Sequence, residues 1–141
     1  CAGLNTDDCL GNVRGEAICK CKTGFGGERC EQLWTDPFPG QYAAQEDCNG
    51  TMASFAIDVE LGPDFNQVTL VNFHNQASAI TTSKIVGNLL STKVFDVYPQ
   101  FMVYGRVAGG GNLNSDETLT LIYSIIDGGD TLNCRALLRP L

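Results

Sequence analysis

The sequence predicts an all-β protein in which a small cysteine-rich segment precedes an antiparallel β-sandwich or barrel of about eight strands. Three observations support this prediction. Five of the seven cysteines fall within the first thirty residues. Beyond them, runs of residues alternate between apolar and polar side chains, which is the pattern of half-buried strands. Turn signals separate these runs about every 8–12 residues, and no stretch carries the apolar stripe of an amphipathic helix.

The composition restricts the possible functions. The chain has 141 residues, 43% hydrophobic and 18% charged, which suits a packed globule rather than a disordered chain. The net charge of −7 argues against nucleic acid as a partner, because phosphate binding needs clustered Lys and Arg. An anionic membrane surface would repel the same charge, so a membrane location requires a covalent anchor.

The cysteine-rich segment covers residues 9–30 and is too small to bury a core, so disulfides must hold it together. Its second half, Cys-x-Cys-x2-Gly-Phe-x-Gly-x2-Cys from Cys19 to Cys30, resembles the closing half of an EGF-like module. The resemblance implies a Cys21–Cys30 disulfide. A complete module has six cysteines and this segment has four, so we interpret it as a truncated EGF-like segment.

The odd number of cysteines leaves one thiol over, and Cys1 is the candidate. Processed bacterial lipoproteins begin with a cysteine that carries acyl chains, and this chain resembles them there. With Cys1 lipidated, Cys9–Cys19 becomes the remaining pair of the segment. If Cys1 is instead an EGF cysteine of a trimmed fragment, Cys1–Cys19 is expected and Cys9 is left over. Lipidation accounts for every cysteine and is the preferred interpretation.

Residues 1–8 then form a lipidated tether. In it, Asp7 and Asp8 resemble the acidic surface-export signal of Bacteroidota lipoproteins. That family commonly joins an N-terminal cysteine, an EGF-like segment and a small β domain. The resemblance implies the outer face of an outer membrane, reached through the acyl chains on Cys1. Residues 5–9 also faintly resemble the calcium-binding entrance of some EGF modules, but a solvated acidic tether is the preferred interpretation.

A linker at residues 31–39 connects the segment to the β domain at residues 40–141. Pro37 and Pro39 exclude a helix in the linker and favour an extended path. We expect Trp34 and Phe38 to pack it onto a neighbouring module. The first strand starts at Gly40, and the following strands are predicted at residues 54–61, 67–73, 83–90, 93–98, 101–107, 118–126 and 131–138.

Turn signals mark the ends of these strands. The glycines of residues 109–111 are predicted to end one strand, and residues 127–130 to form a hairpin turn. Residues 76–83 could form one helical turn. Cys48, just after the first strand, is expected to bond to Cys134 in the last strand. That bond closes a loop of roughly 86 residues, which loop-closure entropy makes worth about 4–5 kcal/mol.

The sequence contains no convergent catalytic set, so an enzyme is not predicted. His74 is the only histidine, has no nucleophile motif beside it, and is interpreted as an ordinary surface residue. Adjacent residues on a strand point to opposite faces, so neither Glu46 with Asp47 nor Asp116 with Glu117 is expected to converge on one substrate. The cysteine spacing favours disulfides over a zinc site. No metal or cofactor is predicted.

The predicted function is that of a non-enzymatic outer-membrane surface lipoprotein, an accessory or binding subunit of a cell-surface protein assembly. Asp130-Thr131-Leu132 resembles the O-glycosylation motif of Bacteroidota and implies a sugar on Thr131. One alternative is a secreted animal EGF-containing adhesion or matrix fragment, with an N-glycan on Asn49.

The other alternative is a small-ligand or glycan-binding β-barrel. Gly40-Gln41-Tyr42 resembles the Gly-x-Trp opening of lipocalin-like barrels, although a simple strand-entry glycine is the preferred interpretation. A barrel interior would admit a small apolar ligand. This alternative predicts a pocket lined by aromatic side chains such as Tyr98, Phe101 and Tyr104.

Overall fold

The computed structural model describes residues 6–13, 16–26, 30–75, 84–102 and 105–141, with the backbone alone described for residues 6–19 and 102. Within these ranges the chain is nearly all β. The strands are β1 (Thr6–Val13), β2 (Glu16–Cys21), β3 (Phe25–Gly26), β4 (Gln32–Leu33), β5 (Gly40–Cys48), β6 (Thr51–Leu61), β7 (Gln67–Val71), β8 (Lys84–Leu89), β9 (Val94–Met102), β10 (Gly105–Leu113), β11 (Leu119–Asp127) and β12 (Asp130–Pro140). A 3-10 turn covers Phe73–Asn75.

Strands β5 to β12 form a closed antiparallel barrel in which each strand pairs with the next one along the chain. The barrel closes because β12 pairs with β5, from Cys134 opposite Cys48 to Pro140 opposite Tyr42. The sequence did not distinguish a sandwich from a barrel, and the structure is a closed barrel. An eight-stranded barrel has an interior just wide enough for side chains to fill.

The barrel interior is a packed core, because alternate residues of each strand point inward. In β5 the inward residues are Tyr42, Ala44, Glu46 and Cys48, and the residues between them are exposed. Fully buried side chains fill the centre, including Phe38, Phe73, Phe95, Ile57, Leu70, Ile85, Leu119 and Leu138. Cys48 is the last residue of β5, so the prediction that it lies just after the first strand of the domain was wrong.

The glycine run at residues 109–111 does not end a strand, and this prediction was wrong. β10 continues to Leu113 and pairs with β11 through all three glycines. A Cβ at Gly109 would lie 2.2 Å from the carbonyl oxygen of Ile122, and a Cβ at Gly111 would lie 2.3 Å from Cζ of Phe95. The glycines are therefore needed inside the strand, because they leave room for the Phe95 ring and for the neighbouring backbone.

β9 is one continuous strand where the sequence predicted a break before residue 101, and the predicted strand 101–107 is divided between the end of β9 and the start of β10. The register with β10 shifts between Val107 and Gly109, which leaves Tyr98 and Pro99 opposite Ala108. This arrangement is a β-bulge, which accepts proline because the extra residue needs no ladder hydrogen bond. The bulge explains why alternation fails at this point in the sequence although the strand continues.

A side chain bridges β8 and β9 where their ladder is short. The two strands pair at Asn88 with Asp96 and at Leu89 with Phe95. Farther along, the Gln100 amide replaces backbone pairing. Its Oε1 accepts a hydrogen bond from the Val86 N–H at 3.1 Å, and its Nε2 donates to the Val86 carbonyl at 2.8 Å.

The linker closes the barrel end at which β5 begins. It is turned rather than extended, since the Phe38 N–H donates to the Thr35 carbonyl at 3.1 Å. Phe38 is fully buried and packs edge-on against Phe95, with 5.7 Å between ring centroids. The Tyr42 hydroxyl donates to the Phe38 carbonyl at 2.7 Å. Trp34 packs partly buried against the same core, so both aromatic residues hold the linker to the barrel, as expected.

The N-terminal part consists of two small sheets, β1–β2 and β3–β4. The structure contains the expected Cys21–Cys30 disulfide. In the β1–β2 ladder, Cys9 and Cys19 are direct Cα partners. Because β1 begins at Thr6, the range predicted to be tether overlaps a strand. Phe25 stacks on Phe65 of the β6–β7 connection with 5.8 Å between centroids, which joins β3 to the same barrel end as the linker.

Candidate functional site

The candidate site lies at the other end of the barrel, where β5 ends, and it is built around Glu46. Alternation along β5 turns Glu46 inward, and it is 3% exposed. Its neighbour Asp47 points outward and is exposed, as the sequence predicted. An ionised carboxylate in a barrel core is costly unless it is paired and hydrogen-bonded, so its partners define the site.

His74 is the main partner of Glu46. Its Nδ1 lies 2.9 Å from Oε1 of Glu46 and 3.0 Å from the hydroxyl of Tyr123. These distances place the imidazole, the carboxyl group and the phenol in one hydrogen-bonded cluster. The side chain of His74 is 16% exposed, and its ring packs edge-on against Tyr123. The prediction of an ordinary surface histidine was therefore wrong.

The turn after β7 aims His74 into the barrel. His74 has a φ of 56°, and Asn72 and Asn75 are also left-handed, with φ values of 64° and 55°. Asn and His tolerate this region better than most residues. The Asn72 side-chain amide donates to the Ala56 carbonyl at 2.7 Å and anchors the turn to β6. Phe73 is buried and packs on Tyr123, with 4.5 Å between ring centroids.

The second disulfide completes the cluster. The structure contains the expected Cys48–Cys134 bond, between directly paired residues of β5 and β12. The sulfur of Cys48 lies 4.0 Å from Nδ1 of His74. The donor atoms of Glu46, Cys48, His74 and Cys134 all lie within 4.8 Å of one another. While the two sulfurs are bonded to each other, they offer no thiolate to a metal.

Sequence reasoning missed this cluster because its members are distant along the chain. His74 is 28 residues from Glu46 and 49 residues from Tyr123. One signal in the sequence points to the cluster: in a clean alternation with Tyr42, Ala44 and Cys48, Glu46 occupies an inward position. A charged residue at an inward position requires a partner.

A cleft opens beside His74 at the same barrel end. Its volume is about 490 Å³. The wall combines apolar side chains with carboxylates and small polar groups, contributed by Asn49, His74, Ile125, Asp127, Asp130, Thr131 and Leu132. Two predicted modification sites, Asn49 and Thr131, are therefore exposed beside this cleft.

The outer wall of β9, β10 and β11 carries exposed apolar side chains. Phe101 is 85% exposed, Ile122 58% and Ile126 50%. Phe101 pairs with Arg106 on β10, and Arg106 pairs with Ile126 on β11, so the three residues form one outward row across neighbouring strands. We call Phe101, Arg106, Ile122 and Ile126 the apolar wall.

The other predicted residues are distributed as follows. Tyr98 and Phe101 lie on the outside of the barrel and do not line the cleft, contrary to the pocket predicted for a ligand-binding barrel. Cys1 and Tyr104 lie outside the described residues. Asp7 and Asp8 belong to β1, and their side chains also lie outside the description.

Comparisons with known proteins do not assign the chain to a family. No protein-family model matches the chain, and a search of curated proteins finds no match. In the described part of the chain, no helix is long and apolar enough to cross a membrane. Functional inference therefore depends on the site, the surface and the cysteines.

Proposed function

We propose that this protein is a non-enzymatic lipoprotein on the outer face of an outer membrane, and that its barrel is a binding subunit of a cell-surface protein assembly. The apolar wall is the observation that carries this proposal. Packed barrel walls normally face solvent with polar side chains, whereas this wall presents an aromatic residue and two isoleucines.

The composition of the apolar wall suits a protein partner. Aromatic residues and arginine are enriched at the centres of protein interfaces, and Arg106 stands between Phe101 and Ile126 in one row. Neighbouring strands are about 4.8 Å apart, so one partner surface reaches all three side chains. The complementary surface would offer an apolar pocket to Phe101 and a carboxylate to Arg106.

A groove beside the apolar wall extends this surface. It has a volume of about 360 Å³ and is bordered by Ile122, Asn133 and Arg135 among others. In contrast, Phe38, Phe73 and Phe95 fill the barrel interior. The filled interior and the exposed outer wall therefore favour binding of a partner on the outside of the barrel over binding of a ligand at its centre.

The membrane anchor is proposed from the pairing of cysteines. Four of the seven form the Cys21–Cys30 and Cys48–Cys134 bonds. Cys9 and Cys19 are direct Cα partners in the β1–β2 ladder, which favours a third bond. That pairing leaves Cys1 for acylation. Two or more acyl chains anchor stably where one binds only marginally, so they would hold a chain of net charge −7 at a membrane.

Mass spectrometry of the N-terminal peptide from natively produced protein tests the anchor. We expect a diacyl or triacyl mass increment on Cys1. A Cys1 that is bare, or that is disulfide-bonded to Cys9 or Cys19, would contradict the anchor and the outer-membrane location together.

Photo-crosslinking in cells that produce the protein natively tests the apolar wall. A photoreactive phenylalanine analogue replaces Phe101 in one variant and Leu61 in a control. Leu61 is similarly exposed at 65%, but it lies on β6. We expect a discrete adduct with one surface protein from position 101, reduced at least tenfold by Arg106→Glu. Equal adducts from both positions, or adducts with lipid alone, would refute the proposed contact surface.

A second candidate function is small-ligand binding in the cleft beside His74. The cleft volume of about 490 Å³ lies within the usual range for ligand pockets, and Ile125 and Leu132 supply apolar surface. An apolar fluorescent naphthylamine tests it. Binding that Leu132→Trp abolishes and that Phe101→Ala preserves would favour this function, whereas no binding to the unmodified protein would exclude apolar ligands of that size.

A further inference from the structure

We propose that reduction of the Cys48–Cys134 disulfide creates a binding site for Zn²⁺ or a similar divalent cation, with Cys48, Cys134, His74 and Glu46 as its four ligands. This inference does not depend on the proposed surface function. It rests on the convergence of four donor groups from three separate parts of the barrel, all within 4.8 Å of one another.

The donor set has the chemistry that zinc prefers. Zinc in proteins is most often tetrahedral and takes thiolate sulfur, imidazole nitrogen and carboxylate oxygen. Metal–ligand bonds of about 2.0–2.3 Å place ligands of one tetrahedron roughly 3.3–3.8 Å apart. Nδ1 of His74 is already 2.9 Å from the Glu46 carboxylate and 4.0 Å from the Cys48 sulfur. Shifts of about 1 Å in the side chains would therefore complete the tetrahedron.

The fold positions these four residues close together in the absence of a metal ion. Cys48 and Cys134 are direct partners in the β5–β12 ladder, which fixes both Cβ positions. Glu46 projects from the same face of β5 two residues before Cys48. The turn after β7 brings Nδ1 of His74 to 4.0 Å from the Cys48 sulfur, and metal ligation at Nδ1 would replace its contact with the Tyr123 hydroxyl at 3.0 Å.

Burial strengthens the case for a cation. Glu46, Cys48 and Cys134 are 3%, 6% and 4% exposed. Two thiolates generated here without a counter-charge would add two negative charges to the buried Glu46 carboxylate, which is unfavourable in a barrel core. A divalent cation removes most of that penalty. Without a cation the reduced cysteines stay as neutral thiols, so the thiolate form of the cluster depends on bound positive charge.

The chemical balance needs a reductant, which we take to be a dithiol or a phosphine. The reductant supplies two electrons, the S–S bond breaks, and Cys48 and Cys134 become thiols. Binding of Zn²⁺ displaces one proton from each thiol to solvent, and His74 binds through Nδ1 as the neutral imidazole, with its ring proton on Nε2. Reoxidation of the two thiols by a disulfide oxidant releases the cation.

Cobalt titration tests the proposal, because Co²⁺ reports thiolate ligation through its absorption spectrum. The full chain is reduced with a phosphine under anaerobic conditions, desalted and titrated with Co²⁺. We expect a thiolate-to-cobalt charge-transfer band with intense visible bands of tetrahedral cobalt, at one equivalent, displaced by Zn²⁺. The oxidised protein should show neither band.

A matched control separates this site from the other cysteines. The double variant Cys48→Ser/Cys134→Ser keeps all the N-terminal cysteines and receives the same treatment. We expect it to lose the bands, and we expect His74→Ala and Glu46→Gln to weaken binding at least tenfold. Equal cobalt spectra from the double variant and the unmodified chain would refute the assignment.

Alkylation mapped by mass spectrometry supplies a readout for each residue. Zn²⁺ should protect Cys48 and Cys134 of the reduced protein from alkylation and leave the extent of alkylation at Cys21 and Cys30 unchanged. If reduction unfolds the barrel, Zn²⁺ should restore its circular dichroism spectrum, because binding favours the folded state. Unprotected Cys48 and Cys134, or a reduced chain that stays unfolded with Zn²⁺, would overturn the proposal.

Discussion

The Tyr42 hydroxyl shows how one buried polar atom joins the linker to the barrel. It donates to the Phe38 carbonyl at 2.7 Å. We expect Tyr42→Phe to lower the free energy of unfolding at neutral pH by about 1 kcal/mol, the usual net worth of such a bond. Urea denaturation measures the change. Tyr98→Phe, which removes a hydroxyl from the outer wall, is the control and should have almost no effect.

The pH dependence gives the Tyr42 prediction a second check. Burial, and then the negative charge of Glu117, raise the pKa of Tyr42 above its usual value of 10.0. The folded state therefore holds the phenol proton more tightly than the unfolded state does. The resulting stability is fully present below pH 10.0 and is lost as the pH rises through the raised pKa. Tyr42→Phe should lack this alkaline loss; an unchanged alkaline profile would contradict the assignment.

His74 is a hydrogen-bonding partner of the buried Glu46 side chain, so its removal should be costly. We expect His74→Ala to lower the free energy of unfolding by about 1–3 kcal/mol, because it leaves the Glu46 carboxylate without its 2.9 Å partner. Adding Glu46→Gln to this variant should restore part of the loss, since a neutral amide is less costly to bury. Denaturation of the two single variants and the double variant gives the coupling energy. Additive effects would mean that the pair is not coupled.

Asp116 organises the connection between β10 and β11. Its Oδ1 accepts hydrogen bonds from the hydroxyl and the N–H of Thr118, and these bonds are the main cause that lowers the pKa of Asp116 below 3.8. A lowered pKa means stability that is present above pH 3.8 and lost as the pH falls through the folded-state pKa.

We therefore expect Asp116→Ala to be less stable than the unmodified chain at neutral pH, with a difference that shrinks in acid. Thermal unfolding from pH 7 to about pH 2 measures it. Asp116→Asn keeps an acceptor oxygen but does not titrate, so its difference from Asp116→Ala should be independent of pH. A constant difference between the unmodified chain and Asp116→Ala would exclude the carboxylate as the cause.

At the scale of a single element, β10 depends on glycines that the sequence pattern predicted to end the strand. A Cβ at Gly111 would lie 2.3 Å from the Phe95 ring and 2.8 Å from Leu121. We expect Gly111→Ala to lower the free energy of unfolding by about 1–3 kcal/mol, the usual cost of overpacking a core. Gly129→Ala is the control, because its Cβ would have no neighbour within 4 Å. Equal effects of the two substitutions would contradict the packing argument.

Alternation predicted the elements best where each strand keeps one face inside. The runs around Ile57, Leu70 and Leu121 are inward in the structure as the pattern implied. Alternation failed at the β9 bulge and at the glycines of β10. The bulge depends on the register with the neighbouring strand, and the glycines depend on neighbouring side chains and backbone. Local sequence carries the period of a strand but not the shape of the surface across from it.

At the scale of the whole molecule, closure could not be predicted from alternation, because a sandwich and a barrel share the same period. The pairing of β12 with β5 joins the first and last strands of the domain. The cysteines were the only sequence signal of that contact, through the expected Cys48–Cys134 bond. The cluster at the barrel end stayed hidden because its contacts form only after closure brings β5, β11 and the turn after β7 together.

Barrel closure and the Cys48–Cys134 bond should stabilise each other. The two cysteines are 86 residues apart in sequence, so loop-closure entropy makes their bond worth about 4–5 kcal/mol. We expect Cys48→Ala/Cys134→Ala to lose roughly this much free energy of unfolding in urea denaturation followed by far-ultraviolet circular dichroism, which the barrel strands dominate. Cys21→Ala/Cys30→Ala is the matched control, because that bond spans 9 residues outside the barrel. The control variant should change barrel stability much less. An equal loss from the two double variants would show that the Cys48–Cys134 bond does not stabilise the pairing of β5 with β12.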